Sequence, residues 1–124
     1  MQIELADSVL NFRFQHCQVE ITGKCNMRCE HCRAWEEVRV HMDFPLFKKT
    51  IDFAVSESFD NFRVTISGGE PFLHPELIRF LRYLKEKGVE NVIITSNASL
   101  ITREKLQQIK DIDFGNIVIQ ISID

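Results

Sequence analysis

Short apolar runs alternate with helix-spaced apolar positions along most of the chain. Four runs rich in β-branched and aromatic side chains are typical of strands, at residues 16–22, 62–67, 89–95 and 117–123. Apolar positions recurring at i, i+3 and i+4 predict three helices between them, at about residues 44–55, 75–87 and 102–110. The pattern therefore predicts alternating strands and helices from residue 16 onward.

Residues that start and stop helices support these boundaries. Asp43 can cap the first helix, and Pro45 suits its first turn because the N–H that proline lacks would be unpaired there. Pro75 is expected to open the second helix and Gly88 to end it. Thr102 can cap the third helix through its side-chain oxygen.

Strands that alternate with helices form parallel sheets, because a parallel pair needs a long crossover connection. Near-continuous β-branched runs such as residues 92–94 favour a sheet covered on both faces. An eight-unit barrel takes ~250 residues, so these 124 residues hold about four β/α units. We predict an α/β fold, a single domain over residues 1–124 that forms a partial TIM-like barrel with open sheet edges. Residues 1–15 have no predicted element.

The same pattern predicts the positions of several individual side chains. Leu106 and Ile109 are expected to face inward from the third helix. Cys17 lies within the first strand and is interpreted as a small buried hydrophobe. His74 directly precedes Pro75 and is expected at the start of the second helix.

The overall composition narrows the class of protein. Hydrophobic residues make up 44% and charged residues 27%, as in globular proteins. A net charge of -3 gives no general attraction to nucleic acid or to anionic membranes. No segment approaches the ~20 apolar residues of a membrane span, and the N-terminus lacks the pattern of a secretory signal. We expect a soluble, cytoplasmic protein with neither nucleic-acid nor membrane partners.

Three of the four cysteines fall within eight residues and form a C-X3-C-X2-C cluster of Cys25, Cys29 and Cys32. In a reducing compartment such a cluster indicates a metal site rather than disulfides. Thiolates are the ligands of iron–sulfur clusters, and a four-iron cluster normally takes four of them. Three cysteines would therefore leave one iron open to another ligand. A structural zinc with a fourth ligand elsewhere remains an alternative.

The second motif is Gly68-Gly69-Glu70-Pro71, which directly follows the second predicted strand. Glycines permit close backbone approach, although this turn alone would be an ordinary connection and Glu70 alone a solvated side chain. Ligands of parallel β/α folds bind at the carboxyl ends of the strands. The residues expected to converge at that end are Cys25, Cys29, Cys32, Gly68, Gly69, Glu70, Asn97, Ser122 and Asp124.

The two motifs in this order resemble those of the radical S-adenosylmethionine (SAM) superfamily, over about residues 16–124. The resemblance implies a [4Fe-4S] cluster held by the three cysteines, with SAM on the fourth iron. It implies that residues 68–71 hold the amino group of SAM and that His31 lies beside the adenine. Asn97 would belong to the same cofactor site, and Ser122 and Asp124 would contact the carboxylate and ribose. Ala98 stands where relatives often have glycine, which argues against a left-handed turn there.

The resemblance also implies a reaction class. One electron from the reduced cluster would cleave SAM to methionine and a 5′-deoxyadenosyl radical, which would abstract a substrate hydrogen. A low-potential donor of the flavodoxin or ferredoxin type would supply that electron. The motif segments are most similar to those of peptide-modifying and cofactor-maturing members. No catalytic side chain or substrate is assigned.

The sequence leaves two other interpretations of the chain's function open. The chain could be a catalytically incomplete fragment, or one subunit of a split barrel that binds a cluster and associates through its open sheet edges. It could also be a zinc-stabilised binding module.

Overall fold

A computed structural model describes residues 1–28 and 40–122. The strands are β1 (Gln2–Leu5), β2 (Ser8–Asn11), β3 (Phe14–Glu20), β4 (Ser58–Ser67), β5 (Asn91–Ser96) and β6 (Asn116–Ile121). The helices are α1 (Phe44–Ser56), α2 (Leu77–Glu86) and α3 (Arg103–Ile112), with a short 3₁₀ helix at Pro71–Leu73. None of these helices is long and apolar enough to cross a bilayer.

The four strands from β3 onward form one parallel sheet in the order β3-β4-β5-β6. The register across its last three strands aligns Val64 with Val92 and Val92 with Ile117. Each strand thus lies beside the next one in the chain, which is the neighbour order of a β/α barrel. The predicted α/β partial barrel with its parallel sheet is confirmed, and β3 and β6 are the edges of the described sheet.

The N-terminal residues, which had no predicted element, form an antiparallel hairpin of β1 and β2. The hairpin pairs Ile3 with Leu10, and both side chains are exposed. The amide of Phe12 donates to the carbonyl of Met1 at 2.7 Å and closes the hairpin, and the amino group of Met1 contacts the carboxylate of Glu57, which precedes β4. An isolated two-stranded hairpin has little stability of its own, so these contacts hold it in place.

The helices pack on one face of the sheet and enclose a phenylalanine-rich core. From that face Ile66 and Ile94 are fully buried, and the rings of Phe47 on α1 and Phe80 on α2 stack with centroids 4.2 Å apart. This close-packed layer holds the strands in a fixed relation to one another, and so fixes the positions of their carboxyl ends.

The other face of the sheet carries mostly polar residues, with some apolar side chains among them. The aligned positions His16, Arg63, Asn91 and Asn116 form one row across all four strands and line a hollow of about 580 Å³. This hollow lies at the amino ends of the strands, opposite the two sequence motifs. The expectation of a sheet covered on both faces is therefore wrong for the described residues, where the helices cover one face only.

Both predicted N-terminal caps are confirmed. The side chain of Asp43 accepts from the amide of Leu46 at 2.9 Å, and that of Thr102 accepts from the amide of Lys105 at 3.2 Å. The prediction that Pro75 opens the second helix is wrong by two residues. The amide of Glu76 donates at 2.9 Å to the buried ring of His74, and this bond closes a turn before α2 begins.

The third helix buries fewer of its apolar side chains than its sequence predicts. Ile109 is only 4% exposed, as predicted, whereas Leu106 is 43% exposed and its predicted inward position is wrong. The reason is that α3 contacts α2 on one side and is the last helix of the described chain. A local sequence pattern identifies an apolar side chain, but it does not show whether another element of the fold covers that side chain.

Two leucines of neighbouring helices provide a test of this packing. Leu84→Ala, in the fully buried layer, is expected to lower the free energy of unfolding by about 2–5 kcal/mol, because it leaves a cavity. The matched Leu106→Ala removes the same atoms from an exposed position and should change it by less than about 0.5 kcal/mol. Urea denaturation measures both, and equal losses would contradict the helix placement.

Candidate functional site

The loops that follow β3 and β4 lie side by side at the carboxyl end of the sheet. The amide of Ile21 donates to the carbonyl of Ser67 at 3.0 Å, that of Gly69 to Thr22 at 2.8 Å, and that of Glu70 to Lys24 at 2.8 Å. These bonds continue the pairing of the two strands beyond their ends. The start of the cysteine segment is therefore held against the glycine turn by backbone hydrogen bonds.

Both glycines are required by this close approach. Gly68 has a φ of 137°, and a Cβ there would collide with the Thr22 carbonyl oxygen and stand 3.1 Å from the Thr22 nitrogen. A Cβ on Gly69 would lie 2.6 Å from the carbonyl carbon of Lys24 and 3.1 Å from the nitrogen of Cys25. Because the obstructing atoms are backbone, a side chain at either glycine would displace the segment that carries Cys25.

Glu70 is completely buried behind the turn, so it is not the solvated side chain that an isolated glutamate would be. One carboxylate oxygen accepts from the amide of Phe72 at 3.1 Å and from the hydroxyl of Ser96 at 2.8 Å. The other accepts from the amide of Asn97 at 2.8 Å. A buried carboxylate is tolerated when hydrogen bonds replace its water, so these donors hold Glu70 in place and join the turn to the end of β5.

The end of β5 forms a tight turn that the sequence did not predict. Ala98 has a φ of 68°, so the left-handed turn considered doubtful there is present. The amide of Ala98 donates to the hydroxyl of Ser96 at 2.9 Å, and the amide of Ser99 donates to the side chain of Asn97 at 3.0 Å. These bonds offset a strain of about 1–2 kcal/mol for a non-glycine residue in this conformation.

The chain returns from the cysteine segment through a second set of contacts with the end of β3. The amide of Met42 donates to Ile21 at 2.8 Å, and the ring of His41 is hydrogen-bonded to the hydroxyl of Thr22 at 2.8 Å. Burial, with lesser effects of His74 and Lys24, lowers the pKa of His41. The fold favours the neutral ring, so this contribution to stability is present above the ordinary histidine pKa and is lost as pH falls below it.

The structure brings together most of the predicted site residues within the described ranges. Half-buried Cys25, the turn of residues 68–71 and Asn97 share one end of the sheet, and exposed Ser122 lies at the same end, where its amide donates to Ser96 at 2.9 Å. The predicted residues Cys29, His31, Cys32 and Asp124 lie outside the described residues.

Cys17 stands apart from this site. It is half-buried and packs against the core on the helix-covered face of the sheet. Burial raises the pKa of its thiol, which disfavours the thiolate that a metal would need. Its interpretation as a packing residue agrees with this position.

Sequence reasoning missed four polar residues that connect the loops, Thr22, Asn26, Ser96 and Ser99. Two of them directly adjoin residues that were singled out, since Asn26 follows Cys25 and Ser96 precedes Asn97. Their position at the carboxyl ends of predicted strands was the available signal. Their hydrogen-bond partners, up to 73 positions away in the chain, could not be read from it.

Comparison with known proteins agrees with this arrangement of motifs on a β/α sheet. The family model of the radical SAM superfamily matches residues 19–124. The chain belongs to the radical SAM superfamily. That superfamily is one of enzymes, and the match includes both motifs.

Two curated radical SAM relatives are 34% identical to the chain. One is the tungsten-containing aldehyde ferredoxin oxidoreductase cofactor-modifying protein of Pyrococcus furiosus, matched over 102 residues, which are 79% of this chain and 28% of that protein. The other is the antilisterial bacteriocin subtilosin biosynthesis protein AlbA of Bacillus subtilis, matched over 113 residues, which are 88% of this chain and 24% of that protein. The chain thus spans about a quarter of the length of these relatives.

A solved structure shows the same fold. BtrN, crystallised with AdoMet and 2-DOIA, superposes with a TM-score of 0.74 at 23% identity. The match covers 89% of this chain and 46% of the BtrN chain. At that identity the likeness concerns the fold, in which the described strands correspond to part of a larger barrel.

The residues at the site fit the cofactors that this superfamily typically binds, a [4Fe-4S] cluster and SAM. Cys25 offers a thiol beside a turn in which two glycines leave backbone groups accessible, and both glycines are half-exposed. Asn97 adds a polar side chain next to the turn. A thiol suits an iron–sulfur cluster, and backbone carbonyl oxygens suit the ammonium end of a small zwitterionic ligand.

The glycine contacts lead to a first prediction for the site. Gly69→Ala is expected to lower the free energy of unfolding by about 1–3 kcal/mol or more, because its Cβ meets backbone. Gly115→Ala is the matched control, since a Cβ there meets the flexible Glu90 side chain at 3.2 Å and should cost less than about 1 kcal/mol. Thermal and urea denaturation compare the two, and a harmless Gly69→Ala would refute the close approach.

The buried carboxylate of Glu70 leads to a second prediction for the site. Glu70→Gln replaces an acceptor oxygen by an amide that cannot accept, so one buried donor loses its partner. The free energy of unfolding of the metal-free protein should fall by about 1–3 kcal/mol. Exposed Glu86→Gln serves as the control and should be nearly neutral. If both variants unfold like the parent protein, Glu70 does not hold the loops together.

Proposed function

We propose that this chain is the cluster- and SAM-binding part of a radical SAM enzyme. The observation that carries the proposal is the backbone contact between the two motifs, in which Gly69 lies against the carbonyl of Lys24 and the nitrogen of Cys25. The starts of the two motifs, 43 positions apart in the chain, are brought into direct contact at the ligand-binding end of a parallel sheet. This placement supports one shared site for an iron–sulfur cluster and a small molecule.

The cysteines would provide the metal ligands, Cys25 from the described residues together with Cys29 and Cys32. When bound, the reduced cluster and SAM would supply a 5′-deoxyadenosyl radical and methionine at the cost of one electron. A low-potential donor of the flavodoxin or ferredoxin type would supply that electron. Thiolate ligands of this kind persist in a reducing compartment, which favours the cytoplasm.

The glycine turn would bind the amino group of SAM. Gly68 and Gly69 are half-exposed, so an ammonium group can approach their backbone without meeting a side chain. Glu70 lies directly behind them, and three donors already occupy its carboxylate. Its negative charge would favour a cation at the turn, while its hydrogen bonds hold the turn in shape.

Further contacts to SAM are proposed for the neighbouring residues. Asn97 borders the turn, and Pro71 fixes the backbone that leaves it. His31 beside the adenine, and Ser122 and Asp124 near the carboxylate and ribose, remain predictions from the family resemblance.

The substrate class is proposed from the two curated relatives. One is described as cofactor-modifying and the other as a bacteriocin biosynthesis protein. We therefore propose hydrogen abstraction from a peptide or from a cofactor precursor. Residues that choose between such substrates are not assigned among the described ones.

A cluster-binding subunit or incomplete fragment is the second candidate. The chain spans about a quarter of its curated relatives, and the described sheet has unpaired edges at β3 and β6. Such a chain would bind the cluster without cleaving SAM, and it would associate with another chain through its open edges. A zinc-stabilised module is the third candidate, and metal analysis distinguishes it from both.

Anaerobic reconstitution with iron and sulfide tests the proposal. The parent protein should bind about four irons and absorb near ~400 nm, because three thiolates can hold a four-iron cluster. Cys25→Ala should lose this cluster, whereas Cys17→Ser, its matched control, should keep it. After reduction with dithionite, added SAM should yield 5′-deoxyadenosine.

The outcomes separate the three candidates. A bound cluster without 5′-deoxyadenosine would favour the incomplete subunit, and zinc without sulfide would favour the binding module. Normal iron and sulfide content in Cys25→Ala would contradict the ligand assignment.

A further inference from the structure

Hydrogen bonds connect each pair of the loops after β3, β4 and β5, and Asn26 provides the last of these connections. The backbone of Glu70 bonds to Lys24, and the Glu70 carboxylate bonds to the end of β5. Asn26 makes the third connection, from the cysteine segment to the end of β5. We propose that Asn26 is a positioning residue that holds Cys25 in place relative to the glycine turn. This inference rests on the proposed function, which makes Cys25 an iron ligand. Its geometry rests on hydrogen bonds between described residues.

The bonds of Asn26 use both ends of its side-chain amide. Its nitrogen donates to the hydroxyl of Ser99 at 2.8 Å, and its oxygen accepts from the side-chain nitrogen of Asn97 at 3.0 Å. The hydroxyl of Ser99 donates in turn to the side-chain oxygen of Asn97 at 2.7 Å. The three side chains form a closed ring in which each one both donates and accepts. All three bonds are exposed to solvent, and together they restrict the orientation of each member more than one of them alone would.

The partners of Asn26 are themselves held rigidly. The backbone amide of Asn97 is bound by the buried Glu70 carboxylate, and Ala98 between the two partners is kept at a φ of 68°. A non-glycine residue persists in this conformation only where its surroundings determine it. Asn26 therefore reaches across from an exposed loop to a preformed turn, and Cys25 is the residue next to it in the chain.

This ring gives Cys25 a defined position that depends only on described residues. On one side its backbone lies against Gly69, and on the other its neighbour Asn26 is bound to the turn after β5. A thiol that is held in place before metal arrives loses less conformational freedom on binding. We infer that Asn26 slows the loss of iron from the site without being a ligand itself.

The first test uses the metal-free protein, so it does not depend on cluster binding. Asn26→Ala is expected to speed amide hydrogen exchange about tenfold in residues 24–28 and 97–99, because both sides of the ring lose their partner. Asn61→Ala, at an exposed position near the start of β4, is the control and should leave these rates unchanged. Unchanged exchange in Asn26→Ala would overturn the proposal.

The second test uses protein loaded anaerobically with iron and sulfide. Asn26→Ala should take up as much iron as the parent and release it to a chelator about tenfold faster. Adding Ser99→Ala should cause little further increase, because the two side chains act through the same ring. An increase of about a hundredfold in the double variant, the product of two independent effects, would show that Asn26 acts apart from Ser99 and would overturn the proposal.

The two tests also separate this inference from the proposed function. If the parent protein takes up no iron, the proposed function fails, and the exchange rates still decide whether Asn26 orders Cys25. If iron is bound but Asn26→Ala releases it at the parent rate, the proposed function stands and the positioning role of Asn26 is refuted.

Discussion

The site depends on a contact between two stretches of backbone with no side chain between them. Gly68 and Gly69 allow the segment from Thr22 to Cys25 to run beside the turn after β4 at hydrogen-bonding distance. Any Cβ would separate the two segments, since the atoms that it meets are backbone and cannot rotate away. The motif that would bind iron and the motif that would bind SAM are therefore parts of one structure, built as an extension of the β3–β4 pairing.

A buried carboxylate extends this contact to the third loop. Burying a charge is unfavourable unless hydrogen bonds replace the lost water, and Glu70 receives three from the turn and from the end of β5. Because those donors come from different elements, the carboxylate makes their positions depend on one another. The strained turn at Ala98 is held between this carboxylate and the ring that includes Asn26.

The residues that stabilise the sheet and the residues proposed to bind ligands lie in different places on it. One face is apolar and packed by three helices, so it provides the rigid support. The other face carries mostly polar side chains, and Cys25 and the glycine turn lie at the carboxyl end of the sheet. The chain spans about a quarter of the length of the two curated relatives, and its four parallel strands have the neighbour order of part of a β/α barrel.

The sequence by itself determined the features that depend on neighbours in the chain. The glycine turn, the caps at Asp43 and Thr102 and the order of strands and helices after residue 16 are all local, and the structure has each of them in its described part. Tertiary structure alone decided the burial of Glu70, the left-handed conformation of Ala98 and the exposure of Leu106. Each of these depends on atoms from distant segments, because hydrogen-bond partners and covering side chains are set by which elements meet in the fold, which no local pattern contains.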